Sequence, residues 1–196
     1  MMLEEDIRAA MVADAKARYP KEACGVVVIA NGKQEYISCN NVHPEPEDAF
    51  AIDPYALVNA EKRGEVKAYF HSHPDTSCAP SKSDIASCDK SELPWVILSI
   101  PGEEWHYQMP SLKKLPIYGR EFIHGVNDCY SFVKDWYAEE LDVILPEPLR
   151  EDDWWRKGQN LYLDNYEAAG FVKVDSSDLQ RGDIILMQVH SDVPNH

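Results

Sequence analysis

Two histidines two residues apart, His71 and His73, are followed eight residues later by Ser81 and three further on by Asp84. The apolar run before them, Val66 to Phe70, predicts a strand. On an extended backbone residues i and i+2 project to one side, so both imidazoles can converge on a single point. Pro74 and Pro80 bracket a loop, and Ser81 to Ser91 predicts a helix with Ser81 as N-cap. Asp84 then lies three residues past the cap, where a carboxylate is favoured. Two neutral imidazoles and one carboxylate make a three-ligand site for one zinc ion, with a fourth position open to water, which is the arrangement of a catalytic zinc. Iron or manganese would accept the same donors. The plainer reading is a pair of surface histidines beside an ordinary Ser-x-x-Asp cap.

A carboxylate that could move protons stands earlier. Glu22 lies just before the β-branched run Val26-Val27-Val28, in the context Pro20-x-Glu22-x-x-Gly25. Taken alone it is an exposed charge at a strand start. Taken together, the His, His, Ser, Asp spacing and this Glu resemble the motif of the JAMM (MPN-type) metalloproteases. That resemblance implies that His71, His73 and Asp84 bind zinc, that Ser81 stabilises an oxyanion and that Glu22 is the general base. The implied reaction is hydrolysis of an amide, peptide or isopeptide. The fold also has members without metal that serve as scaffolds, which gives a non-catalytic alternative.

The elements needed to position these groups are legible. Leu3, Ile7, Ala10, Met11 and Ala15 have helical spacing over Leu3 to Arg18, and Pro20 stops that helix. Glu22 to Ala30 and Lys33 to Ser38 predict a hairpin around Asn31-Gly32. Asn40 to Ile52 is polar and carries two prolines, predicting a loop that leads to a strand near Phe50. Asp53-Pro54 starts a helix that Gly64 ends. Pro94 to Ile100 and Glu104 to Met109 predict two more strands around a Pro101-Gly102 turn. The fold class is α+β, a mixed sheet flanked by helices. The expected organisation is a first domain over 1–110, a linker over 111–118 and a second domain over 119–196.

Composition sets bounds. The chain has 196 residues, enough for one large or two small domains with a core. Nineteen basic against thirty-four acidic residues give a net charge of −15, which disfavours nucleic acid and anionic membrane surfaces as partners. No apolar run reaches the length of a membrane span, and the acidic start does not read as a signal peptide. Five cysteines without a CxxC pair predict reduced thiols and a cytoplasmic setting. Cys78 lies inside the metal loop, where an ordinary thiol is a simpler reading than a stray ligand. The zinc nucleobase deaminases need a Pro-Cys-x-x-Cys segment that is absent here. Between Asp135 and Asp153 eight acidic residues stand against one basic, read as a solvated face.

The second part has its own candidate. Ser131 to Leu141 predicts a helix, which puts Cys129 at its N-terminus behind a capping Asp128. A helix dipole there favours the nucleophilic thiolate, although a buried cysteine acting as a small apolar side chain is the plainer reading. Asp-Cys at a helix start after a glycine-containing loop resembles the NlpC-type cysteine peptidases, papain-like α+β enzymes of the cell wall. They commonly read Asp-Cys-Ser-Gly where this chain has Asp-Cys-Tyr-Ser. The resemblance implies that Arg181 to Met187 is the strand before the catalytic histidine, with His196 in that role and His190 second. The family continues past its histidine with further strands and an orienting polar residue. The resemblance therefore implies an incomplete second module without robust cysteine-peptidase activity.

The JAMM module followed by an NlpC module resembles the tail assembly proteins of lambda-like phages over essentially the whole chain. Gly119 to Gly125, Trp154-Trp155, Asn160 to Asn165 and Ile185 to Val189 belong to the likeness. It implies a role in tail-tip assembly in the cytoplasm of an infected bacterium, with association with the virion tail tip. The implied partners are other phage tail proteins and peptidoglycan peptides.

Overall fold

The computed structural model describes residues 2–113, 116–147, 154–188 and 193–194. The chain divides into two compact units, residues 1–114 and 115–196.

The first unit opens with helix α1 (Glu5–Arg18), whose Ile7, Met11 and Ala15 form a buried stripe. Glu5 and Asp6 in its first turn and Lys16 and Arg18 in its last complement the helix dipole. Strands β1 (Cys24–Ala30) and β2 (Lys33–Cys39) form the expected hairpin. Asn31 and Gly32 both take positive φ, +51° and +76°, the conformation a two-residue turn between twisted strands requires. Helix α2 (Pro54–Arg63) is capped by Asp53. Strand β3 (Glu65–Pro74) leads to helix α3 (Lys82–Ser91), followed by β4 (Trp95–Ile100) and β5 (Trp105–Gln108).

The five strands lie in the order β2-β1-β3-β4-β5. Strand β3 pairs antiparallel with β1 and parallel with β4, the α3 crossover making the parallel step. The expectation of a mixed sheet flanked by helices is met. One face packs Val27, Ala68, Phe70, Val96 and Leu98 against α1. The other packs Val26 and Val28 against Ala60 of α2, with Tyr69 beside them. With both faces covered, the central strands read as continuous apolar runs. Side-chain alternation along β3 puts Tyr69, His71 and His73 on the α2 face and Phe70 on the α1 face. All five cysteines are free thiols.

The strand expected near Phe50 does not form. Only a single bridge, Asn41 to Ile52, joins the ends of that loop. Its backbone groups bond instead to the Asn41 side chain, which supplies in one residue what a partner strand would offer. Strand β3 is longer than its apolar run and carries the extended backbone through both histidines to Pro74.

Gly25 is required by close approach. A Cβ there would meet the Ile37 carbonyl oxygen at 2.5 Å and the Tyr36 ring at 2.7 Å. The Tyr36 ring is itself fixed, by a 2.7 Å hydrogen bond from its hydroxyl to Asp14 and an edge contact with Phe70. Gly25→Ala is therefore expected to cost about 1–3 kcal/mol through overpacking, read as a lowered urea midpoint at unchanged slope. An unchanged midpoint would mean that β2 yields at no cost.

In the second unit, helix α4 (Cys129–Leu141) and a short α5 (Leu161–Asn165) are the α-helices among the described residues. The strand expected over Arg181 to Met187 is not formed there. A strand needs a continuous hydrogen-bonding neighbour, and among residues 181–187 only Met187 takes part in a bridge; Ile185 and Met187 are exposed. No described helix is long and apolar enough to cross a membrane.

Candidate metal centre

The strand register brings the functional groups together. Cys24 of β1 stands opposite His71 of β3. Continuing that antiparallel register by two places sets Glu22 opposite His73. Ser72 locks the junction: its Oγ accepts from the Ala23 N–H at 2.9 Å, and its own N–H donates to the Ala23 carbonyl at 3.0 Å. The serine between the two histidines thus pins the segment that carries the glutamate.

Helix α3 supplies the third donor through its cap. The Asp84 N–H donates to Ser81 Oγ at 3.1 Å, and the Ser81 N–H donates to Asp84 Oδ2 at 2.7 Å. This reciprocal capping box fixes Asp84 in the first turn. The capping and metal-ligand readings of Ser-x-x-Asp are therefore compatible: one carboxylate oxygen closes the cap while the carboxylate faces the histidines. Ser81 itself is exposed at the rim, and its oxygen accepts in the cap.

His71, His73 and Asp84 are all buried, and one ligand atom from each lies within 4.8 Å of the others. His71 Nε2 is 2.9 Å from His73 Nε2 and 3.3 Å from Asp84 Oδ1; His73 Nε2 is 3.5 Å from Asp84 Oδ2. Atoms bound to one zinc at about 2.0–2.1 Å with tetrahedral angles sit about 3.3 Å apart, so this donor set fits the metal. The tautomer fits as well. His73 Nδ1 lies 2.8 Å from the Ser77 carbonyl, which can only accept, so the ring proton sits there and Nε2 keeps its lone pair toward the cluster. Cys78 is not part of the donor group.

The electrostatics of this group follow from its burial and its close partners. Burial opposes ionisation of Asp84, yet its close contacts with His71, His73 and Ser81 hold its carboxyl well below the usual range. Burial lowers the pKa of His71, which has no exposed surface. Burial pulls His73 the same way, but Asp84, the Ser77 carbonyl and Glu22 raise it on balance. Glu22 is only 7% exposed, against the simple expectation of a solvated charge. Burial pushes its carboxyl up to about 8; the His73 charge works against this, and Asp84 and Asp48 add to it.

The loop over residues 40–52 is the part of the site that sequence reading missed. The Glu22 N–H donates to the Pro46 carbonyl at 2.7 Å, and Asn41 Nδ2 donates to the Glu22 carbonyl at 3.1 Å. The same loop lays Phe50 on the face of His71, with ring centroids 4.5 Å apart and 22° between planes. The only sequence signal was an asparagine heading a proline-containing loop.

Known proteins with similar sequences bear on this geometry. The family model for prokaryotic homologs of the JAB domain matches residues 4–109, and the NlpC/P60 family model matches residues 118–196. Tail tip assembly protein K of Escherichia phage N15 is 35% identical over 95% of this chain and 77% of its own length. The chain belongs to the tail tip assembly protein K family. Tail tip assembly protein K of Escherichia phage lambda is 41% identical over 74% of this chain and 70% of its own length. A probable TtuB-protein conjugate cleaving protease of Thermus thermophilus is 34% identical over 51% of this chain and 68% of its own length. The JAB-type and NlpC/P60-type parts follow one another in the order expected.

In this protein K family member the second unit holds Cys129 as the first residue of α4, with Asp128 as the N-cap. Asp128 is buried, and its carboxylate accepts from the Ser131 N–H at 2.8 Å, the Ser131 hydroxyl at 2.9 Å and the Gly125 N–H at 2.9 Å. The expected lowering of the thiol pKa is not found. Burial, and then the Asp128 charge one residue away, push the Cys129 thiol up. His196 and His190, the histidines expected to pair with it, lie outside the described residues.

Proposed function

We propose that the first unit is a zinc-dependent amide hydrolase serving tail tip assembly. The substrate class is a peptide or isopeptide bond in a tail protein or a cell-wall peptide. The observation that carries this reading is the convergence of three buried donors, His71, His73 and Asp84, beside a buried Glu22 held across the β1–β3 register. The names of the relatives support it from two sides, the two phage proteins naming tail tip assembly and the Thermus thermophilus protein naming cleavage of protein conjugates.

His71, His73 and Asp84 would hold the ion, which when bound supplies Lewis-acid polarisation of a carbonyl and acidifies water. The remaining work falls to the chain's own side chains. Glu22 accepts a proton from the attacking water and passes it to the leaving amine; a base titrating near neutrality is suited to both transfers. The Ser81 hydroxyl, exposed at the rim, donates to the carbonyl oxygen as it gains charge. Ser72 keeps Glu22 in register without touching substrate.

A second reading, a cysteine endopeptidase of peptidoglycan peptides, is favoured by the NlpC/P60 match and by Cys129 at a capped helix start. Its raised thiol pKa weighs against it. One assay separates the readings. Zinc-loaded full chain is incubated with purified tail proteins and with muropeptides, and new amino groups are counted. Cleavage abolished by a zinc chelator, restored by zinc and indifferent to Cys129→Ala is the expected result. Cleavage that survives the chelator and disappears with Cys129→Ala would transfer the activity to the second unit.

A further inference from the structure

Zinc-bound histidines usually donate their second ring N–H to a carboxylate, carbonyl or water, which fixes the ring orientation. His73 follows that rule through Ser77. His71 does not: its Nδ1 is buried with no hydrogen-bond partner. Something else must hold this ring. Its face is covered by Phe50 at 4.5 Å, and its edge meets Trp95 at 5.5 Å and 76°. Phe50 also touches Trp95, with ring centroids 5.5 Å apart. The Trp95 indole is tied by a 3.0 Å hydrogen bond to Ser91 Oγ.

Phe50 is no loose loop residue. The peptide groups flanking it are held by one side chain: Asn41 Nδ2 donates to the Ala49 carbonyl at 3.0 Å, and the Ala51 N–H donates to Asn41 Oδ1 at 3.0 Å. That amide in turn reaches the Glu22 carbonyl. One residue therefore aligns the plank under His71 and the backbone of the candidate base.

We propose that Phe50 is a positioning residue of the metal centre, a fixed aromatic plank that holds His71 Nε2 toward His73 and Asp84 in place of a hydrogen bond to Nδ1. This role rests on the zinc reading above. A leucine at position 50 keeps bulk and hydrophobicity but offers no flat face, so the ring can rotate about its side-chain torsions and the donor atom leaves the cluster for part of the time.

The test uses the full chain as wild type, F50L and F50W. Zn2+ affinity is read by competition with a chromophoric chelator, and Co2+ is loaded to record the visible spectrum of the bound ion. F50L is expected to bind Zn2+ about 10-fold more weakly and to give an altered Co2+ spectrum, while F50W restores both. F50L equal to wild type in affinity and in spectrum overturns the positioning role and leaves the zinc reading standing. A wild-type chain that takes up no Zn2+ overturns both. A measurement without metal guards against a misfolded variant: in the wild-type chain the His71 ring protons are expected to show upfield NMR shifts from the Phe50 face. Unshifted resonances would overturn the role directly.

Discussion

Glu22→Gln is expected to keep the metal and to lose turnover by about 10²–10⁴-fold, the range for removing a general acid–base group. The substitution is nearly isosteric, and Glu22 is attached to the site through its backbone, which the side-chain change does not touch. Metal content should therefore stay near wild type while amide cleavage disappears. Full activity in the variant would end the assignment of Glu22 as base. The same pair gives a second readout in metal-free protein. The Glu22 carboxyl titrates near 8 in the folded chain against 4.5 as the ordinary value. Between those values the folded state holds a proton that the unfolded state has lost, so this group's contribution to stability falls as pH rises from about 4.5 to 8. Glutamine has no such dependence. Relative to wild type, the variant should gain stability between pH 5 and pH 8, on the order of a few kcal/mol. Denaturation midpoints of both proteins in chelator at the two pH values would show it.

Elemental analysis of the purified full chain is expected to find about one zinc per chain, and His73→Ala to have lost it. His73 is the donor whose loss should cost most. Its Nδ1 is already committed to Ser77, which leaves Nε2 facing His71 and Asp84. Removing it leaves two protein donors, and an affinity loss of at least about 100-fold follows from the loss of a ligand where outer partners alone are worth 10–100-fold. Zinc should also raise the thermal midpoint of wild type, because the folded chain binds it and the unfolded chain lacks the site; His73→Ala should show little of that rise. No metal in wild type, even after zinc is supplied, would remove the hydrolase reading. A scaffold that works in assembly by binding other tail proteins would then be the better account.

Much of the first unit's site could be read from spacing because its geometry is local. His71 and His73 share a face since an extended chain alternates, and Asp84 reaches them since a capping box sets the third residue of a helix. Those are rules over two or three residues, and the amino-acid order carries them in full. It carries equally well the helix that presents Cys129 behind Asp128. What it could not carry are contacts between distant parts of the chain. Glu22 reads as a solvated charge until the Cys24–His71 register buries it opposite His73, and only then does its carboxyl move toward neutrality. Phe50 reads as the start of a strand until Asn41 folds its loop back over the sheet and sets the ring on His71. The thiol of Cys129 reads as one placed at a helix start until burial and the Asp128 charge push it up. The type and spacing of the donors were thus determined by the sequence alone. Their burial, which decides desolvation, and their long-range partners, which decide charge and orientation, were decided by the tertiary structure, because a dielectric environment belongs to no single segment.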